Sequence, residues 1–187
     1  MKISAVLLAG GESRRMGKDK ATLFFRGKPL WQIQLELLRK LEPSEILISA
    51  RTDPPWRPSD MQFVPDDPPS RGPLSGLTAA LARIQTGHLL ALAIDLPFMT
   101  ENYLRAISHK IEPGRGALPM IGDRAEPLAA IYPADAHVDL VDALSGNDFS
   151  LQTLTSRLVK AGKLRVFPVS MKEVRPFRNL NAPADLD

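Results

Sequence analysis

Two hydrophobic patterns alternate along the chain: short apolar runs and longer segments with helical spacing. The apolar runs at 3–8 and 88–94 are too short for helices and predict buried strands. In the segment 30–41, apolar residues recur every three or four positions, which predicts an amphipathic helix. The same patterns predict further strands at 45–50, 62–64, 117–121, 128–132 and 164–169, an extended segment at 21–25, and helices at 74–84, 100–111, 138–144 and 151–161.

This order of strands and helices predicts an α/β protein. Strands that alternate with helices form a largely parallel sheet with right-handed crossovers and helices on both faces, and such sheets bind ligands at the carboxyl ends of their strands. Asp95 follows a predicted strand directly and stands at such an end. A length of 187 residues suits one domain, residues 1–187.

The loop after the first strand carries the strongest chemical signal. Gly10, Gly11 and Gly17 allow the backbone to approach an anion, and four cations follow within seven residues: Arg14, Arg15, Lys18 and Lys20. The loop matches neither the Walker pattern nor the dinucleotide pattern G-x-G-x-x-G. Composition and spacing therefore indicate an anion-binding loop for a nucleotide, and a solvated basic turn remains the alternative.

Composition narrows the class of ligand. The formal charge of +3 and a pI near 9.3 favour small anionic substrates. Aromatic residues make up only 6% of the chain and no long basic stripe is present, so nucleic-acid binding is disfavoured. No apolar stretch has membrane length and there is no cysteine, so we expect no membrane partner and a cytoplasmic location.

The segment from Leu8 to Ala21, L-A-G-G-E-S-R-R-M-G-K-D-K-A, closely resembles the signature of the molybdenum cofactor guanylyltransferases. The resemblance continues, in the family's order, through G-K-P-L at 27–30, G-P-L-S-G-L at 72–77, D-L-P-F at 95–98, E-P-L-A-A-I-Y at 126–132 and N-L-N-A-P at 179–183. It implies the three-layer, Rossmann-like nucleotidyltransferase fold.

The resemblance also implies an activity. GMP would pass from GTP to the phosphate of molybdenum-bound molybdopterin, with Mg²⁺ as cofactor and pyrophosphate as the second product. Molybdoenzyme proteins that deliver the cofactor or accept the product are the implied protein partners.

The same resemblance assigns roles on the nucleotide side. Leu8, Ala9 and Gly10, with Gly11 in the same loop, would contact guanine. Lys20 would reach the phosphates, and Asp66 would contact the guanosine. The alternatives are that Lys20 is a surface lysine at the end of a loop and that Asp66 forms a turn before Pro68.

Catalysis is assigned to Lys20, Arg15 and Asp95. Arg15 would hold the β and γ phosphates, and Asp95 would bind Mg²⁺, which prefers carboxylate oxygen. An Asp at this place is also common as a turn or helix-start residue.

On the acceptor side, Asn179 and Asn181 are two residues apart, so in an extended segment their side chains share one face. They would line the active site, and a turn before Pro183 is the alternative. Glu126 and Tyr132 are weaker candidates. Arg124 is expected to meet the phosphate of the acceptor, and the three histidines have no metal-ligand spacing and are expected to be structural.

Ser49 departs from the family pattern, which has an asparagine at the end of the second strand. A hydroxyl is shorter than an amide and presents no adjacent donor and acceptor, so the nucleotide contact here is expected to be lost or bridged by water. Two alternative functions stay open: a related nucleotidyltransferase that uses CTP or another acceptor, and a non-catalytic nucleotide- or cofactor-binding carrier.

Overall fold

The computed structural model describes residues 2–10, 19–66 and 70–180. Within them, the strands are β1 (Ser4–Leu8), β2 (Phe24–Phe25), β3 (Lys28–Pro29), β4 (Ile46–Ala50), β5 (Gln62–Pro65), β6 (His88–Ala93), β7 (Gly116–Ile121), β8 (Arg124–Ala125), β9 (Ile131–Pro133) and β10 (Leu164–Pro168). The α-helices are α1 (Leu30–Lys40), α2 (Pro73–Leu81), α3 (Glu101–Ser108), α4 (His137–Ser145) and α5 (Leu151–Lys160).

One sheet organises these elements. Its strand order is β10-β7-β9-β6-β1-β4-β5, with β8 paired to β7, and β2 and β3 form a separate hairpin. Strands β5, β4, β1 and β6 run parallel, while β9 is antiparallel to both β6 and β7. The predicted α/β class with a mostly parallel sheet is confirmed.

Helices cover both faces of the sheet, because the central strands are apolar on both sides. In β1, Ala5 and Leu7 pack into the hydrophobic core that contains residues of α1 and α3. Val6 and Leu8 point the other way, into the core formed with α2, α4 and α5. Among the described residues, no helix combines the length and the apolar character that crossing a membrane would require.

Two predicted segments have a different form. The predicted strand 128–132 begins instead as a 3₁₀ turn, Pro127–Ala129, and the strand β9 covers Ile131–Pro133. The Tyr132 hydroxyl donates to the carbonyl of Pro127 at 2.8 Å, which holds this turn closed. The predicted extended segment 21–25 begins as a 3₁₀ turn, Lys20–Thr22, because the Asp19 carboxylate accepts from the N–H of Ala21 at 3.0 Å.

Gln34 on α1 is a polar side chain in the hydrophobic core. It is completely buried, and neither its amide nitrogen nor its amide oxygen has a hydrogen-bond partner among the described residues. A buried amide without partners loses its hydration and gains nothing in return.

We expect Gln34→Met, which keeps the length and flexibility of the side chain, to raise the free energy of unfolding by about 1–3 kcal/mol. Urea denaturation of both proteins measures this. Gln32→Met is the matched control on the same helix, because the Gln32 amide donates to Glu36 at 2.9 Å, and it should not raise stability. A loss of stability in Gln34→Met would show that the buried amide is paired.

Candidate active site

The carboxyl ends of four parallel strands meet at one edge of the sheet. The register pairs Leu8 of β1 with both Ser49 of β4 and Ala93 of β6, and it pairs Ala50 of β4 with Pro65 of β5. The backbone pairing continues beyond the strands. The N–H of Asp66 donates to Ala50 at 3.1 Å, and the N–H of Ile94 donates to Leu8 at 3.1 Å. The residues that follow each strand are therefore held almost as firmly as the strands.

A cavity of about 240 Å³ opens at this edge. Six of the site residues predicted from the sequence line it: Leu8, Gly10, Lys20, Ser49, Asp66 and Asp95. They come from four separate segments of the chain, and the strand topology brings them together. The sequence analysis missed Arg51, Gly76 and Leu128, which also line the cavity. Gly76 belongs to a motif that carries the family resemblance, whereas Arg51 lies in the segment between β4 and β5, outside those motifs.

Lys20 and Asp95 form an ion pair at the cavity. The Lys20 Nζ lies 3.2 Å from the Asp95 Oδ2, and the two side chains are 17% and 22% exposed. Asp19 caps the 3₁₀ turn on which Lys20 lies, and the main-chain carbonyl of Asp95 accepts from Leu180 N at 2.9 Å. A cation and a carboxylate are thus held side by side on ordered backbone, both within reach of a ligand in the cavity.

Asp66 is almost completely buried and is oriented by a second polar group. The Ser49 hydroxyl, which is 1% exposed, donates to the Asp66 Oδ1 at 3.0 Å. The Ser70 hydroxyl lies 3.4 Å from the other carboxylate oxygen. The Ser49 side chain therefore faces Asp66 and fixes the direction in which that carboxylate meets the cavity.

Gly10 and Gly76 have no side chains, and this leaves room for the Ser49–Asp66 pair. A Cβ on Gly76 would lie 2.3 Å from the Ser49 Oγ and 2.9 Å from the Asp66 Oδ1. A Cβ on Gly10 would lie 2.8 Å from the Asp66 Oδ2. Asp66 is thus packed against Gly10, which follows β1, and against Gly76 of α2, with no room for a side chain at either contact.

The backbone groups expected to contact guanine are partly used by the sheet. The N–H of Ala9 donates to Ser49 at 2.8 Å, and the carbonyl of Leu8 accepts from Ile94. Gly11, Arg15 and Asn181 lie outside the described residues. Asn179 is exposed and directly precedes Leu180, whose N–H is bonded to Asp95.

The proposed acceptor role of Tyr132 is wrong. Its side chain is completely buried and its hydroxyl is bonded to Pro127, so no acceptor can reach it.

Glu126 is partly buried, and burial raises its pKa while the nearby charge of Arg124 lowers it. Tyr103, which the sequence analysis missed, packs its ring edge-on against Phe177, with the ring centroids 5.0 Å apart.

The structural role predicted for His88 is supported. The residue is buried, and its Nε2 lies 3.0 Å from the carbonyl oxygen of Glu112 and 3.2 Å from that of Arg115. Within the described part of the chain, no three His, Asp or Glu side chains are grouped so that they could hold a metal ion.

We expect Gly76→Ala to disturb the Ser49–Asp66 pair. Alanine normally favours a helix interior over glycine by about 1 kcal/mol, but here its Cβ would strike the Ser49 hydroxyl. Ser49→Ala removes that hydroxyl, so Gly76→Ala should be less costly in the Ser49→Ala background. The expected coupling is about 0.5–3 kcal/mol, measured from the free energies of unfolding of the two single variants and the double variant. Additive effects would show that the two side chains do not meet.

Known proteins resemble this chain along nearly its whole length. The family model described as "MobA-like NTP transferase domain" matches residues 5–161. A probable molybdenum cofactor guanylyltransferase from Opitutus terrae is 34% identical, over 99% of this chain and 93% of the relative. The molybdenum cofactor guanylyltransferase of Syntrophotalea carbinolica is 31% identical, over 98% of this chain and 89% of the relative.

Solved structures agree with these relatives. The Archaeoglobus fulgidus molybdopterin-guanine dinucleotide biosynthesis protein A superposes with a TM-score of 0.74 at 26% identity, covering 98% of this chain and 94% of that one. A Thermus thermophilus 2-C-methyl-D-erythritol 4-phosphate cytidylyltransferase shares the fold, with a TM-score of 0.72 at 15% identity, covering 100% of this chain and 96% of that one. The match over residues 5–161, supported by relatives above 30% identity, shows that the chain belongs to the MobA-like NTP transferase family.

Proposed function

We propose that this chain, acting as a single domain, transfers GMP from GTP to the phosphate of molybdenum-bound molybdopterin and releases pyrophosphate. The observation that carries the proposal is the Lys20–Asp95 pair beside the cavity of about 240 Å³ at the carboxyl edge of the sheet. Relatives named as molybdenum cofactor guanylyltransferases supply the choice of base and acceptor.

The nucleoside would occupy the part of the cavity bounded by Gly10, Asp66 and Gly76. An ionised carboxylate only accepts hydrogen bonds, so Asp66 suits the N–H edge of guanine or the hydroxyls of ribose. The Ser49 hydroxyl keeps one Asp66 oxygen engaged, which leaves Asp66 in one orientation. In this chain Ser49 therefore acts on the nucleotide through Asp66, where the family pattern has an asparagine.

The phosphates would lie between the glycine-rich loop and the Lys20–Asp95 pair. An ammonium group has three N–H donors, so Lys20 can bind a phosphate oxygen and keep its ion pair with Asp95. Its positive charge offsets the negative charge that increases on the phosphate oxygens as the transition state forms. Arg15 would hold the β and γ phosphates.

Asp95 fits a Mg²⁺ ion that is bound mainly by substrate. Magnesium typically takes one or two protein carboxylates and completes its octahedron with phosphate oxygens and water, so a closed cage of protein ligands is not needed. When bound, the ion would supply positive charge to the triphosphate.

The reaction forms one bond and breaks one. An oxygen of the acceptor phosphate attacks the α-phosphorus, a new phosphoanhydride bond forms, and the bond from the α-phosphorus to the bridging oxygen of pyrophosphate breaks. The acceptor phosphate is already ionised near neutral pH, so no side chain needs to remove a proton from it. The protein contributes mainly alignment and charge.

The decisive experiment is incubation with Mg²⁺, molybdopterin and each of the four nucleoside triphosphates, followed by mass analysis. A guanine dinucleotide and pyrophosphate are expected from GTP alone. A cytosine dinucleotide would identify the CTP-dependent alternative, and the absence of pyrophosphate with every triphosphate would identify a carrier. Delivery of the acceptor and receipt of the product by partner proteins stay predictions.

Asp95→Asn should lower kcat about 100- to 1000-fold, because the carboxylate charge in the site is removed while the side-chain shape is kept. The fold should survive, since Leu180 bonds the main-chain carbonyl of Asp95 and not its side chain. Asp123→Asn, in the exposed turn between β7 and β8, is the matched control and should leave kcat unchanged. Activity of Asp95→Asn within about threefold of the parent would remove Asp95 from the reaction.

Lys20→Ala should lower kcat more than it weakens GTP binding, because its charge interacts most strongly with the transition state. Arg15→Ala should mainly raise the Kd for GTP. Single-turnover rates and GTP titrations separate the two effects. If both variants changed only the KM for GTP, this division of roles would be wrong.

A further inference from the structure

Two arginines share one aromatic ring beside the proposed active site. The Arg26 Cζ lies 5.1 Å from the ring centroid of Phe25 and 6.0 Å from that of Phe98. The Arg175 Cζ lies 5.7 Å from the same Phe98 centroid. Phe25 and Phe98 pack edge to face, with their centroids 5.1 Å apart. Two guanidinium groups therefore stand around one small aromatic cluster.

The cluster is anchored to the elements that carry the active site. Phe98 is three residues beyond Asp95, so the chain alone keeps it within about 11 Å of that residue. Arg175 lies on the 3₁₀ turn Arg175–Phe177, and the following segment is bonded to the Asp95 carbonyl through Leu180. The lining of the cavity includes Asp95 but none of the residues of this cluster. The cluster therefore lies next to the nucleotide cavity and outside it.

Arg26 occupies a backbone position that arginine rarely adopts. It has φ +50°, and Gly27 after it has φ +79°, in the two-residue turn that joins β2 to β3. Turns with two positive φ values favour Asn, Asp or Gly at the first position. A long cationic side chain in a strained position is a common sign of a functional requirement.

No carboxylate neutralises either arginine within the described ranges. Neither Arg26 nor Arg175 forms an ion pair there, and the acidic neighbour Glu173 instead accepts from the Ser170 hydroxyl at 2.6 Å. Both arginines are exposed. Two like charges near one ring repel each other, and an anion bound by both guanidinium groups would offset that repulsion.

Arg165 shows what an ordinary surface arginine on a ring looks like in this protein. It lies 5.5 Å from the Phe167 centroid, but it stands alone on that ring and lies 3.6 Å from the carboxylate of Glu112. Arg26 and Arg175 differ in both respects, because they share a ring and have no such carboxylate.

We propose that Arg26 and Arg175 bind the phosphate monoester of the acceptor substrate. This inference rests on the proposed function, which requires an acceptor phosphate next to the α-phosphate of GTP. A phosphate dianion approaching a triphosphate is repelled, and two guanidinium groups with planar pairs of N–H donors offset that repulsion. The partly exposed ring of Phe98 offers an apolar contact to the ring system attached to the phosphate, and the buried Phe25 packs behind it.

Arg26→Asn and Arg175→Gln test this in steady-state assays. Asn tolerates the positive φ of position 26, so the turn should be kept. Each variant should raise the KM for molybdopterin at least tenfold, the scale of a lost charge-assisted hydrogen bond, and leave the KM for GTP unchanged. Arg165→Gln is the matched control and should change neither constant. A rise in the KM for GTP instead would assign the pair to the triphosphate and overturn the proposal.

A binding assay separates failure of this site from failure of the proposed function. The probe is a fluorescent, oxidised pterin that keeps the phosphate side chain, titrated by anisotropy beside the same pterin after dephosphorylation. The phosphorylated probe should bind Arg26→Asn and Arg175→Gln at least tenfold more weakly than the parent, and the dephosphorylated probe should bind all three alike. Equal binding of the phosphorylated probe to all proteins, or equal losses for both probes, would overturn the phosphate assignment. A parent protein that bound the probe but made no dinucleotide would contradict the proposed function alone.

Discussion

The parallel pairing of β5, β4, β1 and β6 is the constraint on which the site depends. Parallel strands in register place all their carboxyl ends at one edge, and the backbone hydrogen bonds continue one residue further, to Asp66 and Ile94. In β1 and β6 every residue is buried, and an unpaired N–H there would be costly. Shifting one strand by a residue would exchange the side chains that face the two hydrophobic cores, so close packing on both faces determines the register. The positions of Asp66 and Asp95 follow from it.

Close packing then determines the shape of the cavity at the carboxyl edge of the sheet. Gly10 and Gly76 bring backbone against the Asp66 carboxylate, and Ser49 supplies the hydroxyl that orients it. The side of the cavity proposed for the nucleoside is therefore preorganised by buried groups. The side proposed for the phosphates is different, because Lys20 and Asp95 remain partly exposed and keep donors and oxygens for a ligand. This division suits a site that recognises one end of its substrate by shape and the other by charge.

The second half of the chain completes the opposite side of the site. Strand β9 enters the sheet antiparallel beside β6, and the turn before it carries Leu128 to the cavity wall. The segment after β10 returns across the sheet edge, where Leu180 bonds to Asp95, and Phe177 packs against Tyr103. Burial, with the charges of Glu173 and then Glu126, raises the pKa of Tyr103 to about 12.

The sequence by itself determined the class of fold and most of the residues at the strand ends. Burial of a strand or a helix leaves a pattern of apolar residues within that segment alone. The strands of the parallel core and the helices could therefore be predicted from short stretches of sequence. Motifs identified Lys20, Asp66 and Asp95 one at a time. The apolar spacing wrongly predicted one continuous strand at 128–132. The Tyr132 hydroxyl bonds to the carbonyl of Pro127 and closes a turn there, and an apolar pattern does not indicate such a hydrogen bond.

Only the tertiary structure decided which of these groups meet. Lys20 and Asp95 are 75 residues apart in the chain and 3.2 Å apart in space. In the sequence, Ser49 stood out only because the family pattern has an asparagine at this position. Its hydrogen bond to Asp66 is possible because Gly76, which belongs to α2, leaves space for the two side chains. Arg26 and Arg175 come from distant parts of the chain, and both lie near the ring of Phe98. Contacts between distant segments depend on packing in three dimensions, and no pattern within one segment records that packing.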